Sequence, residues 1–265
     1  MRPALDFERK RLIGVVHLKP LPGAPRFAGK MEAVIEAAVA DARAYESVGA
    51  DAIFIENFGD IPFTKGAVGP ETVAGMAAVG CVIRDVVKMP IGFNVLRNDP
   101  LAALALCAAC GGSFIRVNVH CGAMLTDQGL IEGDACKTLR YRQPICPDAK
   151  IFADVLVKHA VPPGNLTIEQ AGRDTVERGL ADALIVSGAG TGFAASLARV
   201  RRLRQACPES TILIGSGIRA ENIGRYLRDA DGVIVGTSLK AAGRIDRPVG
   251  RELVKDLRKK MTLRS

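Results

Sequence analysis

Ile212-Leu213-Ile214-Gly215-Ser216-Gly217-Ile218 and Gly232-Val233-Ile234-Val235-Gly236-Thr237-Ser238 decide the reading of this chain. Each is a short apolar, β-branched run that ends in glycine with serine or threonine. Such a run reads as a strand buried on both faces, as in a parallel sheet. Glycine lets backbone N–H groups approach a ligand closely. Two such ends at the seventh and eighth strands of a (β/α)8 barrel form a phosphate cup at its C-terminal face. Gly215, Ser216, Gly217, Gly236, Thr237 and Ser238 are therefore the predicted anion-binding residues.

Working back from these strands, six more apolar runs fall at 12–18, 52–57, 91–96, 114–120, 151–158 and 183–187. Helical patterns separate them at 31–48, 70–88, 98–111, 134–142, 167–178 and 194–206, and short ones follow at 220–227 and 248–260. Strands alternating with helices, with no second block, predict a single (β/α)8 TIM barrel over residues 1–265. The length matches the roughly 250 residues usual for one barrel. A doubly wound open sheet would place a G-x-G-x-x-G turn after its first strand. His17-Leu18-Lys19-Pro20 stands there instead. The long segments 58–69 and 121–133 read as loops, the second either as a mobile lid hinged at Gly122, Gly129 and Gly133 or as a fixed surface loop.

Composition narrows the function. The net charge of +8 favours anionic partners, but the basic residues are scattered and aromatic content is only 5%, which argues against nucleic acid. Residues 1–11 show no apolar leader and no apolar run is long enough for a membrane span, so a cytoplasmic protein is expected. The seven cysteines are odd in number, and Cys107-x-x-Cys110 lies in a helical pattern without a matching zinc pair, so reduced, buried thiols are expected. No cofactor is predicted, and homo-oligomerisation is left open.

In a barrel, polar residues at strand C-termini line the mouth. Side chains alternate along a strand, so Arg116, Asn118 and His120 share one face and Asp154 shares another with Leu156 and Lys158. His17 ends the first strand, Glu56 and Asn57 the second, and Asn94 lies on the third. Glu56 and Asp154 are the candidates for proton transfer or for stabilising an oxocarbenium-like centre. His17 is the candidate acid–base histidine, because an imidazole titrates near neutral pH. Lys158 would pair with an anion, or form a Schiff base if its pKa fell. Asn94, Arg116 and Asn118 would bind substrate, with Asp127 and Gln128 reaching in from the lid. The plainer reading is that Arg116 and Asp154 form a buried ion pair and that the asparagines serve the backbone. A divalent metal on Glu56 and Asp154 stays open, though no ligand spacing demands one.

These motifs together resemble the BtpA family, also called the BtpA/SgcQ family. The matching stretches are Ile13-Gly14-Val15-Val16-His17-Leu18-Lys19-Pro20-Leu21-Pro22-Gly23, Glu56-Asn57, Asn94-Val95-Leu96-Arg97-Asn98-Asp99, Thr126-Asp127-Gln128-Gly129-Leu130-Ile131-Glu132-Gly133, Asp154-Val155-Leu156-Val157-Lys158-His159, Gly215-Ser216-Gly217 and Val235-Gly236-Thr237-Ser238-Leu239-Lys240. The chain departs from the family at Cys121-Gly122-Ala123-Met124. The resemblance implies a TIM barrel related to the ribulose-phosphate-binding group. It also implies either an enzyme of sugar or nucleoside metabolism, or a biogenesis factor for a larger complex, as in photosystem I assembly. The expected function is a barrel enzyme acting on a phosphorylated sugar or nucleotide-like metabolite by glycosidic cleavage, isomerisation or aldol chemistry. A non-catalytic stability factor is the alternative.

Overall fold

The computed structural model describes residues 5–262. In chain order, β1 (Arg11–His17) leads to α1 (Met31–Ser47), β2 (Ala52–Glu56) to α2 (Pro70–Val86), and β3 (Ile91–Asn94) to α3 (Pro100–Cys110). After β4 (Phe114–Val117) come β5 (Ala123–Thr126), β6 (Gly129–Glu132), α4 (Ala135–Ile145), β7 (Lys150–Asp154), β8 (Ala160–Val161) and α5 (Ile168–Arg173). Then follow β9 (Ala183–Val186), α6 (Leu197–Ala206), β10 (Thr211–Ile214), β11 (Gly232–Val235) and α7 (Arg251–Thr262).

Eight of these strands form a closed parallel barrel in the order β1-β11-β10-β9-β7-β4-β3-β2. Closure runs through β1 and β11, where Arg11 faces Gly232 and Gly14 faces Val235. Alternation along each strand divides the core. Ile13, Val15, Phe54, Phe114, Phe152, Ile185, Leu213 and Ile234 fill the barrel, while Leu12, Val16, Ile53 and Ile55 face the helices. Phe114 and Phe152 stack at 5.2 Å and Phe54 meets Phe114 edge-on at 4.8 Å, the two geometries that aromatic quadrupoles favour. Leu5 and Phe7 pack against the same cluster, with Phe7 5.8 Å from Phe152. The interior is thus packed, and the strand C-termini open onto a mouth.

Several predicted boundaries shift. β4 ends at Val117 and β7 at Asp154, short of the expected 120 and 158. Past β4, the Asn98 side chain replaces a strand by donating to the Val119 carbonyl and accepting from its N–H, both at 2.9 Å. His120 is thereby turned from the mouth, and its Nε2 lies 2.8 Å from the Gly179 carbonyl. Past β7, Leu156 takes a left-handed φ of 52°, which ends the alternation. The helix expected to run to Arg178 changes pitch, with α5 passing into a π-turn over Asp174–Arg178. The helix expected at 220–227 is one 3-10 turn, Ile223–Arg225.

The segment expected to be an unstructured lid is a β-hairpin. Met124 faces Ile131 and Leu125 faces Leu130. Gly129, at φ 91°, takes the left-handed position that a hairpin turn with a bulge requires. β8 adds a third antiparallel strand, with Leu125 facing Val161. Met124 and Ile131 pack on Val119 and Val157, so the hairpin has its own small core above the barrel.

The chain beyond β11 is pinned by a buried pair. Lys240 Nζ donates to Asp41 Oδ2 on α1 at 2.5 Å, and Asp41 Oδ1 accepts the Val249 N–H at 2.8 Å. Removing one member of such a pair strands the other charge. Asp41→Ala should therefore cost about 3–5 kcal/mol in urea unfolding, and Asp41→Leu combined with Lys240→Met should recover much of it. A single variant costing less than about 1 kcal/mol would contradict the assignment.

Candidate functional site

Strand register assembles the first part of the mouth. His17 pairs with Glu56 across β1 and β2, and Glu56 pairs with Asn94 across β2 and β3. Three polar side chains on adjacent strands therefore share one level. Asn94 Nδ2 donates to Glu56 Oε2, and His17 Nε2 stands 4.0 Å from Glu56 Oε1. All three sit near the end of a strand, where the inward face meets the opening rather than packed core.

The His17 imidazole is held well below its usual pKa, first by burial and then by the charges of Lys240, Lys158 and Arg116. It stands in the mouth as a neutral base, its ring 5.1 Å from that of Phe58. Its buried Nδ1 has no hydrogen-bond partner among the described residues.

β4 and β7 supply the second part. Arg116 Nε and Nη2 donate to the two Asp154 oxygens at 2.8 and 3.0 Å, and Asn118 Nδ2 adds a third bond at 3.0 Å. The carboxylate is fully enclosed. The buried ion pair that was the plainer reading of these two residues is present, and Asp154 is fixed by three donors.

Lys158 is different. Its ammonium has no carboxylate or carbonyl partner among the described residues, and it borders both cavities of the mouth. Burial, then the nearby Arg116, lowers its pKa to about 8; Glu56 and Asp154 oppose that shift in part and Arg97 adds to it.

The first cavity, of about 520 Å³, is walled by the predicted anion-binding residues Gly215, Ser216, Gly217, Gly236, Thr237 and Ser238. The N–H groups of Gly217, Gly236, Thr237 and Ser238 have no acceptor among the described residues. The expectation that serine hydroxyls would assist needs correction. Ser216 Oγ lies 2.5 Å from the Phe193 carbonyl and 3.1 Å from that of Gly190, so its one proton goes to a carbonyl, and Ser238 Oγ donates to that of Ile218 at 2.5 Å. A hydroxyl has one proton, and these are committed to the backbone.

The second cavity, of about 570 Å³, adjoins the first and shares Glu56, Arg116, Lys158 and Thr191 with it. Asn94, Asn118 and Asp127 border it, while Gln128 at the hairpin tip borders neither cavity and donates to Asp127 Oδ2 at 2.6 Å. Sequence reasoning missed Arg97, which is buried in this cavity's wall and donates to the Lys158 carbonyl at 2.7 Å. It lies in the Asn94–Asp99 stretch that carries the family resemblance, which was its only signal. Phe58 and Phe63 were missed because they lie in a loop with no periodicity. Among the described residues, no three or more His, Cys, Asp or Glu side chains come together in a metal-holding cluster. No helix among them is long and apolar enough to cross a membrane.

A closed parallel barrel with a polar mouth at its strand C-termini defines a TIM-barrel protein. Solved barrels share the shape. One described as "Native KDPGal structure" superposes with a TM-score of 0.61 at 14% identity, covering 99% of this chain and 98% of its own. Orotidine 5'-phosphate decarboxylase from Pyrococcus horikoshii superposes at 0.56 with 14% identity, covering 94% and 99%. The chain belongs to the BtpA family, whose model matches residues 8–262. It is 47% identical to the photosystem I biogenesis protein BtpA of Synechocystis over 238 residues, 90% of this chain and 83% of the relative.

The lysine gives the test of this geometry. After reductive ¹³C-methylation, one lysine resonance should titrate near pH 8, and Lys158→Met should remove it. The unfolded chain binds this proton up to about pH 10.4, so stability should rise with pH between the folded and unfolded values and stay lower below pH 8. A full set of lysines titrating together near 10.4 would refute this environment.

Proposed function

We propose that this protein is a barrel enzyme acting on a phosphorylated sugar or nucleotide-like metabolite in the cytoplasm. The observation that carries the reading is the cavity whose wall presents unpaired backbone N–H groups and which opens directly onto Glu56, Arg116 and Lys158. Backbone donors bind an anion without side-chain ordering cost, and the net charge of +8 favours its approach. The barrel neighbours named above support a catalytic fold, but activity follows the site rather than the fold.

With the anion at the ends of β10 and β11, the rest of the substrate lies over the barrel axis. Glu56 is the proton-transfer group. It has one side-chain donor, from Asn94, whereas Asp154 is held by three. Asp154 serves to position Arg116 and Asn118. Neutral His17 and the lysine accept or deliver protons beside Glu56. Proton transfer at a sugar carbon or to a departing oxygen is the step common to glycosidic cleavage, isomerisation and aldol chemistry.

A second reading, a non-catalytic assembly factor, draws on the name of the Synechocystis relative and on one surface feature. Leu130, Leu125 and Val161 lie in register across β6, β5 and β8 and are 39%, 53% and 59% exposed. Such a row suits a protein partner better than solvent. The readings separate by region, because changes in the mouth would leave an assembly function intact.

Phosphate should raise the melting temperature in a saturable way. Thr237→Glu, which sets a like charge in the cup, should abolish the rise. Gly217 is unsuitable for this purpose, since an added Cβ would lie 2.3 Å from the Ala194 backbone. An undiminished rise in the Thr237 variant would place the anion elsewhere. In a screen of phosphosugars and nucleotides, any compound that turns over should lose at least about a hundredfold in rate with Glu56→Gln. Asp154→Asn should instead lower both rate and stability. Wild-type turnover by a folded Glu56→Gln protein would rule out the assignment.

A further inference from the structure

The second cavity has a chemistry of its own. One wall is apolar and aromatic, built from Phe58, Ile61, Pro62, Phe63 and Leu96. This wall is fixed on both flanks. Asp60 accepts from the Leu21 N–H at 2.8 Å and from Asn57 Nδ2 at 3.0 Å. The Thr64 carbonyl accepts from the Arg97 N–H at 3.2 Å, and Asp99 Oδ2 from that of Val68 at 2.9 Å. The Phe58 and Phe63 rings meet at 6.1 Å, edge to face. The surface is therefore formed before any ligand arrives. The same lining carries a guanidinium, Arg97, and a carboxylate, Asp127.

The cavity also holds two orphaned acceptors. Asn94 and Asn118 are 1% and 3% exposed, and the Oδ1 of each has no partner among the described residues. Their orientation is decided by chemistry. Each Nδ2 donates to a carboxylate, Glu56 or Asp154, and neither amide can flip without setting oxygen against oxygen. Both side chains line the cavity, and each oxygen is an acceptor enclosed in its wall that calls for a donor such as a sugar hydroxyl. Leaving them unpaired in a buried wall is costly, so a ligand that satisfies them is favoured over one that does not.

We propose that the second cavity receives a planar heteroaromatic ring, with the sugar hydroxyls on Asn94 and Asn118, so that the ligand of the mouth is a nucleoside monophosphate rather than a bare sugar phosphate. The inference rests on the anion reading of the first cavity. The two cavities share Glu56, Arg116, Lys158 and Thr191, so one molecule spans both. The rings of Phe58 and Phe63 supply aromatic contact, while Arg97 and Asp127 supply a donor and an acceptor for the polar edge of a base. A hydrocarbon ring would make no use of those two groups, and a sugar phosphate alone would leave the aromatic wall bare.

Calorimetric titration of the full chain with uridine and adenosine 5'-monophosphates, ribose 5-phosphate and inorganic phosphate tests this. At least one nucleotide should bind about tenfold or more tightly than ribose 5-phosphate, in line with base–aromatic stacking. Phe63→Ala should bring that nucleotide down to the level of ribose 5-phosphate without changing ribose 5-phosphate itself, and Phe63→Tyr should restore the difference. Phe63 is only half-buried, so the fold tolerates both changes. Equal affinity for ribose 5-phosphate and both nucleotides, or a nucleotide advantage that survives Phe63→Ala, overturns the proposal while leaving the anion cup standing. No binding of any of the four overturns both.

Discussion

The bidentate contact between Arg116 and Asp154 is the interaction on which the mouth depends. The two charges lie above a barrel core of aliphatic and aromatic side chains, and such a pair gains little stability over an apolar substitute. Its return is geometric. Asp154 fixes both the Arg116 guanidinium and the Asn118 amide, and Arg116 reaches across the barrel toward β10. At Gly215 an added Cβ would lie 3.4 Å from Arg116 Nη2 and 2.6 Å from Ile185 Cγ2. The absence of a side chain there leaves room for the guanidinium beneath the strand end that walls the first cavity. One ion pair thus ties the fourth, fifth and seventh barrel strands to a common centre.

The barrel was legible because its strands are short apolar runs and its helices carry a 3.6-residue period. Those signals act locally, and the closed parallel order follows from repeating them. The inward set on the first three strands was legible as well, since His17, Glu56 and Asn94 are polar residues near the C-terminal ends of apolar runs. Their mutual register was not, because no local signal states which residue on one strand faces which on the next. The hairpin escaped notice for a similar reason. Each of its strands has four residues, too few for period-two alternation to stand out, and Gly129 read as a hinge where it serves a turn.

Failures around the site share one cause, competition for hydrogen bonds. Ser216 and Ser238 have the right chemistry to hold an anion, yet backbone carbonyls of neighbouring loops claim their protons. His120 was placed in the mouth by strand alternation, but the strand ends three residues earlier because Asn98 occupies its edge. Sequence names the donors and acceptors. It leaves open which of several nearby partners wins, since that depends on loop paths set by distant packing.

The loops above the barrel are cross-tied, which bears on how the site works. β8 joins the loop carrying Lys158 to the hairpin carrying Asp127, through the pairs Leu125–Val161 and Thr126–Ala160. His159 Nε2 accepts the Thr191 N–H at 3.0 Å, which latches the glycine-rich segment after β9 to the same unit. Thr191 in turn borders both cavities. A ligand that moves the hairpin must therefore move Lys158, His159 and Thr191 with it, because an antiparallel ladder resists separate motion of its strands. The three-stranded sheet, seated on its Met124–Ile131–Val157 core, is thus one cross-tied unit rather than a flexible lid. These ties hold Lys158, His159 and Thr191 in fixed relation to one another, which is the preorganisation that electrostatic recognition requires.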